Sequence, residues 1–248
     1  MKSLYVQLLL IFLTLGCYKP SDKAGDLSLF DSTLELHFTH VLNRTEIRPD
    51  KLIELSDGRK FQFRYIRHIF TNIVLVDDMG DTAVPEISRV LIRENAHIYM
   101  LGKVALRPGK WKMYLLYGVD STTNTTVQPF MFENANDPLA PQFPPMYWTW
   151  ESGYLFTRVE ALADTSRIPS GQINGFVDYH LGKTGFARPI GPFEVAIGDG
   201  KAFVRLRCNL QPAFAAITWP DEFSSHTFEN ISLAEKLISA IAGNIQND

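Results

Sequence analysis

The stretch Thr33–Val41, "TLELHFTHV", alternates between apolar and polar residues and decides the class of fold. Successive side chains of a strand point to opposite faces, so an alternation with period two predicts a half-buried β-strand. The apolar face carries Leu34, Leu36, Phe38 and His40. His37 falls on the other face, and the two histidines of this strand are therefore expected to face different surroundings.

Similar short runs recur along the chain, among them "KFQFRYIRHI", "WKMYLLYGV", "GYLFTRVEA", "GFVDYHLG" and "AFVRLRCNL". Turn sequences such as "SDGRK", "RPGK" and "GDG" separate them. Roughly ten strands at this spacing predict a mostly β fold, an antiparallel β-sandwich-like domain. One helix is predicted at the C-terminus, from Ser232 to about Asn244, where Ser232 and Glu235 have the capping-box spacing. Residues 28–248 are thus expected to form one domain.

The first residues have the composition of an export signal. Lys2 precedes the apolar run "LYVQLLLIFLTLG", which is shorter than the ~20 residues that span a bilayer. Residues 1–16 are therefore predicted to be a signal peptide. Cys17 follows a small residue, which resembles the lipobox of bacterial lipoproteins, although Thr14 stands where Leu is usual. We expect a lipidated Cys17, a tether over 17–27 and an outer-membrane lipoprotein facing the periplasm or the surface; ordinary cleavage is the alternative.

Composition and motifs exclude several classes of function. The formal net charge of −3 makes nucleic acid an unlikely partner. No nucleophile elbow, zinc-protease motif or phosphate-binding glycine loop occurs, so the chain is not expected to be an enzyme. Cys208 is the one cysteine besides Cys17, and its alternating surroundings predict a buried apolar role.

The segment Pro144–Tyr154, "PPMYWTWESGY", is the densest aromatic cluster of the chain. Strand alternation would put Met146, Trp148 and Trp150 on one face. An ordinary core strand and a ligand site are both compatible with this pattern.

The histidines differ in their surroundings. His40 lies on an apolar face, where an imidazole needs a partner or a metal to offset its desolvation. His180 stands near a strand end before a glycine, where a side chain can reach a rim. The other histidines of interest, His68, His97 and His226, are interpreted as ordinary surface or satisfied partly buried residues.

Five motifs occur in an order that resembles the MbnP family: "LHFTHVLN", "FRYIRHIFTNIVLVDD", "LLYGVDSTTN", "MYWTWESGYLFTRVEA" and "GFVDYHLG". The resemblance runs from about Leu34 to Ile245. It implies an extracytoplasmic β protein that binds copper through histidine nitrogens. It also implies a tryptophan oxidised to kynurenine by a dihaem partner enzyme of the peroxidase type.

Carried over motif by motif, the resemblance assigns roles to particular residues. It implies His40 and His180 as nitrogen ligands, Met146 as a possible thioether ligand and Trp148 as the possible kynurenine. Imidazole and thioether donors suit Cu(I). The same motifs supply supporting residues, which are Asp120, Asn124, Trp150 and Tyr154.

Two other functions fit the same sequence. The aromatic segment could serve only as a packed strand, or Trp148 and Tyr154 could be stacking platforms of a carbohydrate-binding module. Geometry separates the readings, because a sugar platform needs exposed rings whereas a metal site needs nitrogens that converge to ~2 Å from one point.

Overall fold

The structure is a computed structural model of the chain, and it describes residues 29–149 and 153–248. The predicted signal peptide, Cys17 and the tether lie outside the described residues, and so does Trp150. None of the helices in the described ranges is long and apolar enough to cross a bilayer.

Strands dominate the described part of the chain. The longer ones are β1 (Phe30–Leu42), β4 (Lys60–Asp77), β7 (Ile98–Leu106), β8 (Trp111–Tyr117), β11 (Thr157–Ala163), β12 (Gly175–Leu181), β13 (Arg188–Gly198) and β14 (Lys201–Asn209). The short ones are β2 (Thr45–Glu46), β3 (Leu52–Glu54), β5 (Thr82–Ala83), β6 (Val90–Ile92), β9 (Tyr147–Trp148), β10 (Gly153–Tyr154), β15 (Ser224–Ser225) and β16 (Ile245–Asn247). The helices are α1 (Ser121–Thr126), α2 (Gln211–Ala215) and α3 (Ile231–Ala242), with a 3-10 turn at Pro129–Met131.

The main sheet folds back on itself, so that β1 faces β4 across the core. Its path runs β15-β12-β11-β4-β8-β13-β14-β1-β2. β13 joins the two halves, because its first part pairs with β8 and its last residues pair with β14. β1 and β4 are far apart on this path, yet the ring centroids of Phe38 and Phe70 lie 5.5 Å apart. The prediction of a mostly β fold with a C-terminal helix is confirmed.

The alternation of β1 is observed as predicted. Leu34, Leu36, Phe38 and His40 are all buried, whereas His37 is partly exposed. The pairing of β1 differs from a purely antiparallel sheet, because β1 runs parallel to β14 with Thr33 opposite Lys201 and Val41 opposite Asn209. A long connection separates these two strands, and only short hairpin connections oblige neighbours to be antiparallel.

Helix α3 is present, but it begins two residues earlier than its predicted capping box. The N-cap is Asn230, whose side chain accepts a hydrogen bond from the backbone N of Leu233 at 3.0 Å. Asn and Ser are about equally favourable as N-cap residues, so Asn230 can cap the helix in place of Ser232. The buried side chains of this stripe include Leu233, Leu237, Ile238 and Ile241.

Candidate metal centre

The outer face of the sheet, turned away from the core, carries a row of cationic and imidazole side chains. Arg67 of β4, Arg158 of β11 and His180 of β12 are paired neighbours on three adjacent strands. Paired residues point to the same face of a sheet, so the three side chains lie side by side. Their partners in the next row are Glu160 and Asp178, which are also directly paired.

His180 is held by these two carboxylates through one ring nitrogen. Its Nε2 lies 2.8 Å from Oε1 of Glu160 and 2.8 Å from Oδ1 of Asp178. Its Nδ1 is buried and has no hydrogen-bond partner among the described residues. A proton on Nε2 leaves the lone pair on Nδ1, which is the arrangement of a metal-binding histidine whose other nitrogen donates to a carboxylate.

His226 completes the cluster from a distant part of the chain. The edge strand β15 runs parallel to β12 and places Ser224 beside Asp178, so that His226 follows beside His180. The two imidazole rings are stacked with centroids 5.0 Å apart. His226 Nε2 lies 3.2 Å from Oδ2 of Asp178, which therefore touches both histidines.

Further contacts fix the position of His226. Its Nδ1 lies 3.1 Å from a carboxylate oxygen of Glu229. The next residue, Thr227, donates its hydroxyl hydrogen to the backbone oxygen of His180 at 3.0 Å. The same hydroxyl accepts from the backbone N of Gly182 at 2.9 Å. This segment is therefore fastened to the end of β12 on both sides of the imidazole pair.

Trp148 covers the two histidines. Its ring lies edge-on to His180 with centroids 5.1 Å apart, and edge-on to His226 with centroids 5.2 Å apart. Trp148 is half-buried, so one side of the indole stays accessible to solvent. It is the last residue of β9 and pairs with Gly153 of β10.

Two arginines hold the segment that leads to Trp148. Arg67 donates to the backbone oxygens of Phe143 at 2.9 Å and Pro144 at 3.5 Å. Arg158 donates to the oxygen of Pro145 at 3.0 Å. Prolines lack a backbone N–H and cannot join a sheet ladder fully. The arginines instead donate to the carbonyl oxygens of this segment and so hold it against the outer face.

The predicted supporting residues Asp120, Asn124 and Tyr154 lie at helix α1 and strand β10. Asp120 caps α1 and accepts from the backbone N of Thr123 at 2.9 Å. Asn124 on that helix accepts from the backbone N of Tyr154 at 2.9 Å and donates to Thr184 at 3.1 Å. Tyr154 is only 1% exposed, so it offers no face to a sugar ring.

Asn124 packs so closely against Gly153 that no side chain fits at this position. It has a φ of +75°, and a Cβ there would lie 2.8 Å from Oδ1 of Asn124. We expect Gly153→Ala to lower the free energy of unfolding by the ~1–2 kcal/mol of a left-handed alanine plus about 1–3 kcal/mol of overpacking. Gly185→Ala is the matched control, because Gly185 has a φ of +90° with no atom within 4 Å of its Cβ position. Equal losses in urea unfolding would show that the Asn124 contact does not constrain the hairpin.

The carboxylates decide the charge of the cluster. Burial by itself lowers the pKa of His180, but its hydrogen bonds to Asp178 and Glu160 outweigh burial and raise that pKa above the usual 6.5. Burial would likewise raise the pKa of Asp178, yet hydrogen bonds from His180 and His226 lower it. A positive charge is therefore favoured at this position, whether a proton or a metal cation supplies it.

The donor set fits a metal cation. Asp178, His180 and His226 each offer one ligand atom, and these atoms lie within 4.8 Å of one another. The Nδ1 of His180 is buried and has no hydrogen-bond partner among the described residues. Glu160, which holds the other nitrogen of that ring, supplies the outer-shell carboxylate that fixes a histidine ligand.

The predicted site residues divide between two places. His180 and Trp148 lie together, as the aromatic and histidine motifs implied. His40 lies on the inner face of the sandwich beside His68, and the structure does not bring it to His180. Met146 is part of the hydrophobic core and is 2% exposed. With Tyr147 and Tyr154 it lines a cavity of about 220 Å³.

His226 is the residue that sequence reasoning missed. The sequence predicts an ordinary histidine here because His226 stands in the polar segment "DEFSSHTF". β15 has only two residues and joins β12 through a long-range parallel pairing. Such a pairing leaves no periodic signal in the sequence. The sequence feature that relates to the position of His226 is Glu229, three residues later, whose carboxylate contacts the imidazole.

Comparisons with known proteins identify the fold and the family of the chain. The solved structure of MbnP from Methylosinus trichosporium superposes with a TM-score of 0.50 at 16% identity, over 77% of this chain and 80% of that one, and so shares the fold. No curated protein matches the sequence. The MbnP family model matches residues 31–232, which is most of the chain. The protein is a member of the MbnP family.

Proposed function

We propose that this protein is an extracytoplasmic copper-binding protein, not itself a catalyst, whose copper centre is formed by His180, His226 and Asp178 beneath Trp148. The proposal rests on the convergence of two imidazoles and a carboxylate under one indole ring. Family membership supports copper as the metal, since MbnP is associated with copper handling.

The chemistry of the centre favours Cu(I) as the bound form. Two imidazoles are sufficient for Cu(I), which accepts low coordination numbers and borderline nitrogen donors. Asp178 touches both histidines and would balance the single positive charge of that ion. Glu160 would orient the ring of His180 through its contact with Nε2 at 2.8 Å.

Trp148 is the proposed site of oxidative modification. Its half-buried ring stands against both imidazoles and remains reachable from solvent. An indole offers a metal no free lone pair, whereas kynurenine carries a ketone and an aromatic amine. Opening the ring of Trp148 would therefore add a donor directly beside His180 and His226. The proposed oxidant is a dihaem enzyme of the peroxidase type. We propose that lipid on Cys17 anchors the chain and that the two proteins meet in the periplasm or at the outer surface.

Replacing Asp178 tests the proposed centre. Asp178→Asn keeps the shape of the side chain but removes the charge that faces both histidines, so Cu(I) affinity should fall by about 10–100-fold. The measurement is a competition titration of the purified mature protein against a Cu(I) chelator. Asp221→Asn is the matched control, because the Asp221 side chain is 66% exposed and forms a surface ion pair with Arg167. Equal affinities in the two variants would overturn the assignment of Asp178.

Copper affinity should depend on pH in a direction set by His180. A protonated imidazole carries a hydrogen on both ring nitrogens and has no lone pair for a metal. A proton and copper therefore compete for His180. Because Glu160 and Asp178 raise the pKa of His180, affinity should begin to fall at a pH above 6.5 as the solution is acidified. Competition titrations from about pH 8 to about pH 5 measure this.

Glu160→Gln supplies the control for the pH dependence. It removes one carboxylate from Nε2 of His180, so the fall in affinity should move to lower pH. The free energy of unfolding of the metal-free protein should depend on pH in the opposite direction, decreasing as the pH rises. The raised pKa of His180 stabilises the fold below 6.5, and this contribution is lost as the pH rises through the raised pKa. A copper affinity that stays constant across this range would contradict the role given to His180.

A further inference from the structure

The chain makes an unusual turn directly after His226. Thr227 has a φ of +46°, in the left-handed region, and its side chain is buried. A β-branched residue is a genuine outlier in that region, because its branched side chain crowds the backbone. The other non-glycine residues with positive φ in the described ranges are all exposed and none is β-branched; they are Asn43, Arg44, Asp50, Asn72 and Asp199.

Hydrogen bonding identifies the kind of turn. The backbone N of Phe228 donates to the backbone oxygen of His226 at 2.5 Å, across three residues. With a positive φ at its centre, this is the pattern of the rare, strained form of the γ-turn. We call residues 226–228 the Thr227 turn. Backbone strain of this kind persists only where the surrounding structure holds it, and it concentrates at functional sites.

The side chain of Thr227 holds the turn in place. Its hydroxyl donates to the backbone oxygen of His180 at 3.0 Å and accepts from the backbone N of Gly182 at 2.9 Å. Gly182 lies directly against the β9–β10 hairpin, since a Cβ there would collide with the backbone oxygen of Tyr154. One hydroxyl therefore connects the turn to the strand that carries His180 and, through Gly182, to the hairpin that carries Trp148.

The turn also brings Glu229 back to His226. The carboxylate of Glu229 accepts from the backbone N of His226 at 3.0 Å and contacts Nδ1 of the same residue at 3.1 Å. Nε2 of His226 then faces Asp178 at 3.2 Å. A strand that continued past His226 would carry Glu229 away, because each residue of a strand advances about 3.3 Å. Both ring nitrogens of His226 are thus directed by carboxylates, as outer-shell partners direct a histidine ligand.

Strand pairing alone does not fix His226. β15 consists of Ser224 and Ser225, and its pairing with β12 ends at Ser225. His226 follows at the edge of the sheet, where no further ladder bonds hold its backbone to β12. The position of its imidazole therefore depends on the contacts that the Thr227 turn makes.

We propose that Thr227 is a positioning residue of the candidate copper centre. Its hydroxyl and its left-handed backbone hold the imidazole of His226 against that of His180 and return Glu229 to Nδ1. This inference rests on the proposed function, because it takes the two histidines as ligands. Thr227 acts by preorganisation, since ligands that are already in place lose less freedom when an ion binds.

Thr227→Val tests the role of the hydroxyl. Valine keeps the β-branched shape but cannot bond to His180 or Gly182, so Cu(I) affinity should fall by about 10–100-fold, as for other outer-shell losses. Thr227→Ser keeps the hydroxyl without the branch, and its affinity should stay within a few-fold of wild type. Competition titration of the purified mature protein against a Cu(I) chelator measures both.

Thr71→Val is the matched control. Thr71 is also buried, and its hydroxyl donates to the backbone oxygen of Gly118 at 2.9 Å. Both valine variants should lower the free energy of unfolding in urea, because each leaves a buried backbone oxygen without its donor. Only Thr227→Val should weaken Cu(I) binding. Equal Cu(I) affinities in the two variants would overturn the positioning role.

Glu229→Ala extends the test to an exposed residue, whose loss leaves the core intact. We expect Cu(I) binding about 10-fold weaker, because Nδ1 of His226 loses its carboxylate. Glu235→Ala is the control, since Glu235 is also exposed and pairs with Arg188 at the surface. Equal affinities in these two variants would contradict the claim that the turn acts by returning Glu229 to His226.

A measurement without copper separates this inference from the proposed function. In the metal-free protein the stacked imidazoles of His180 and His226 should give nuclear Overhauser contacts between their ring protons. These contacts should disappear in Thr227→Val and persist in Thr227→Ser and Thr71→Val. Their persistence in Thr227→Val would overturn the positioning role and leave the proposed function standing. If they change as expected but wild type binds no Cu(I), the proposed function fails and the positioning of His226 by Thr227 stands.

Discussion

The variant His180→Ala/His226→Ala should lose Cu(I) binding at the candidate centre, with an affinity weakened by more than about 100-fold. Loss of an outer-shell partner alone costs about 10–100-fold, and this variant removes both proposed nitrogen ligands. Alanine also leaves Asp178 without the two rings it contacts, so its carboxylate would return to solvent. Competition titration against a Cu(I) chelator measures the change.

The matched control for that variant is His37→Ala/His97→Ala. Both control histidines are at least partly exposed, and their ion pairs are with Glu35 and Glu46 at the surface. These substitutions should leave the Cu(I) affinity within a few-fold of wild type. An equal loss in the control would mean that copper binds histidines of this chain without selecting the proposed centre.

Arg67→Met should cost about 3–5 kcal/mol of unfolding free energy, the largest stability change that we expect. Arg67 and Glu94 form a buried ion pair whose side chains are 6% and 7% exposed, with two nitrogen–oxygen contacts of 3.2 Å. Removing the arginine leaves the Glu94 charge buried and unpaired. The same substitution releases the backbone oxygen of Phe143 and so loosens the segment that carries Trp148. Urea unfolding measures the loss.

Two further variants calibrate this result. Arg48→Met removes a surface ion pair with Glu46, whose arginine is 64% exposed, and should cost at most about 1 kcal/mol. Arg67→Met combined with Glu94→Gln should recover part of the loss, because no uncompensated charge remains. If Arg67→Met proves no more damaging than Arg48→Met, the buried pair does not anchor this segment.

Local pattern was sufficient to predict much of the fold. The alternation of Thr33–Val41 predicted which side of β1 is buried, because period two follows from strand geometry alone. The apolar stripe after residue 231 predicted α3 for the same kind of reason. The parallel pairing of β1 with β14 could not be predicted, since it depends on contacts between distant segments.

The same limit explains the candidate site. Alternation places His40 on the buried side of its strand, but it does not say which layer of the sandwich that strand enters. Only the folded arrangement puts β1 opposite β4, and thus His40 beside His68 instead of His180. His226 was hidden because a two-residue strand positions it. Trp148 and His180 were predicted because each lies in a motif that resembles the family, and the structure places their ring centroids 5.1 Å apart.

Anomalous diffraction at the copper edge, from crystals of the protein loaded with Cu(I), tests the central claim most directly. It locates the ion without relying on any variant. We expect an anomalous peak about 2.0 Å from one ring nitrogen of His180 and one of His226, beside the ring of Trp148 or its oxidised form. Copper found only between His40 and His68, or only at surface residues, would contradict the claim that the outer cluster is the copper centre.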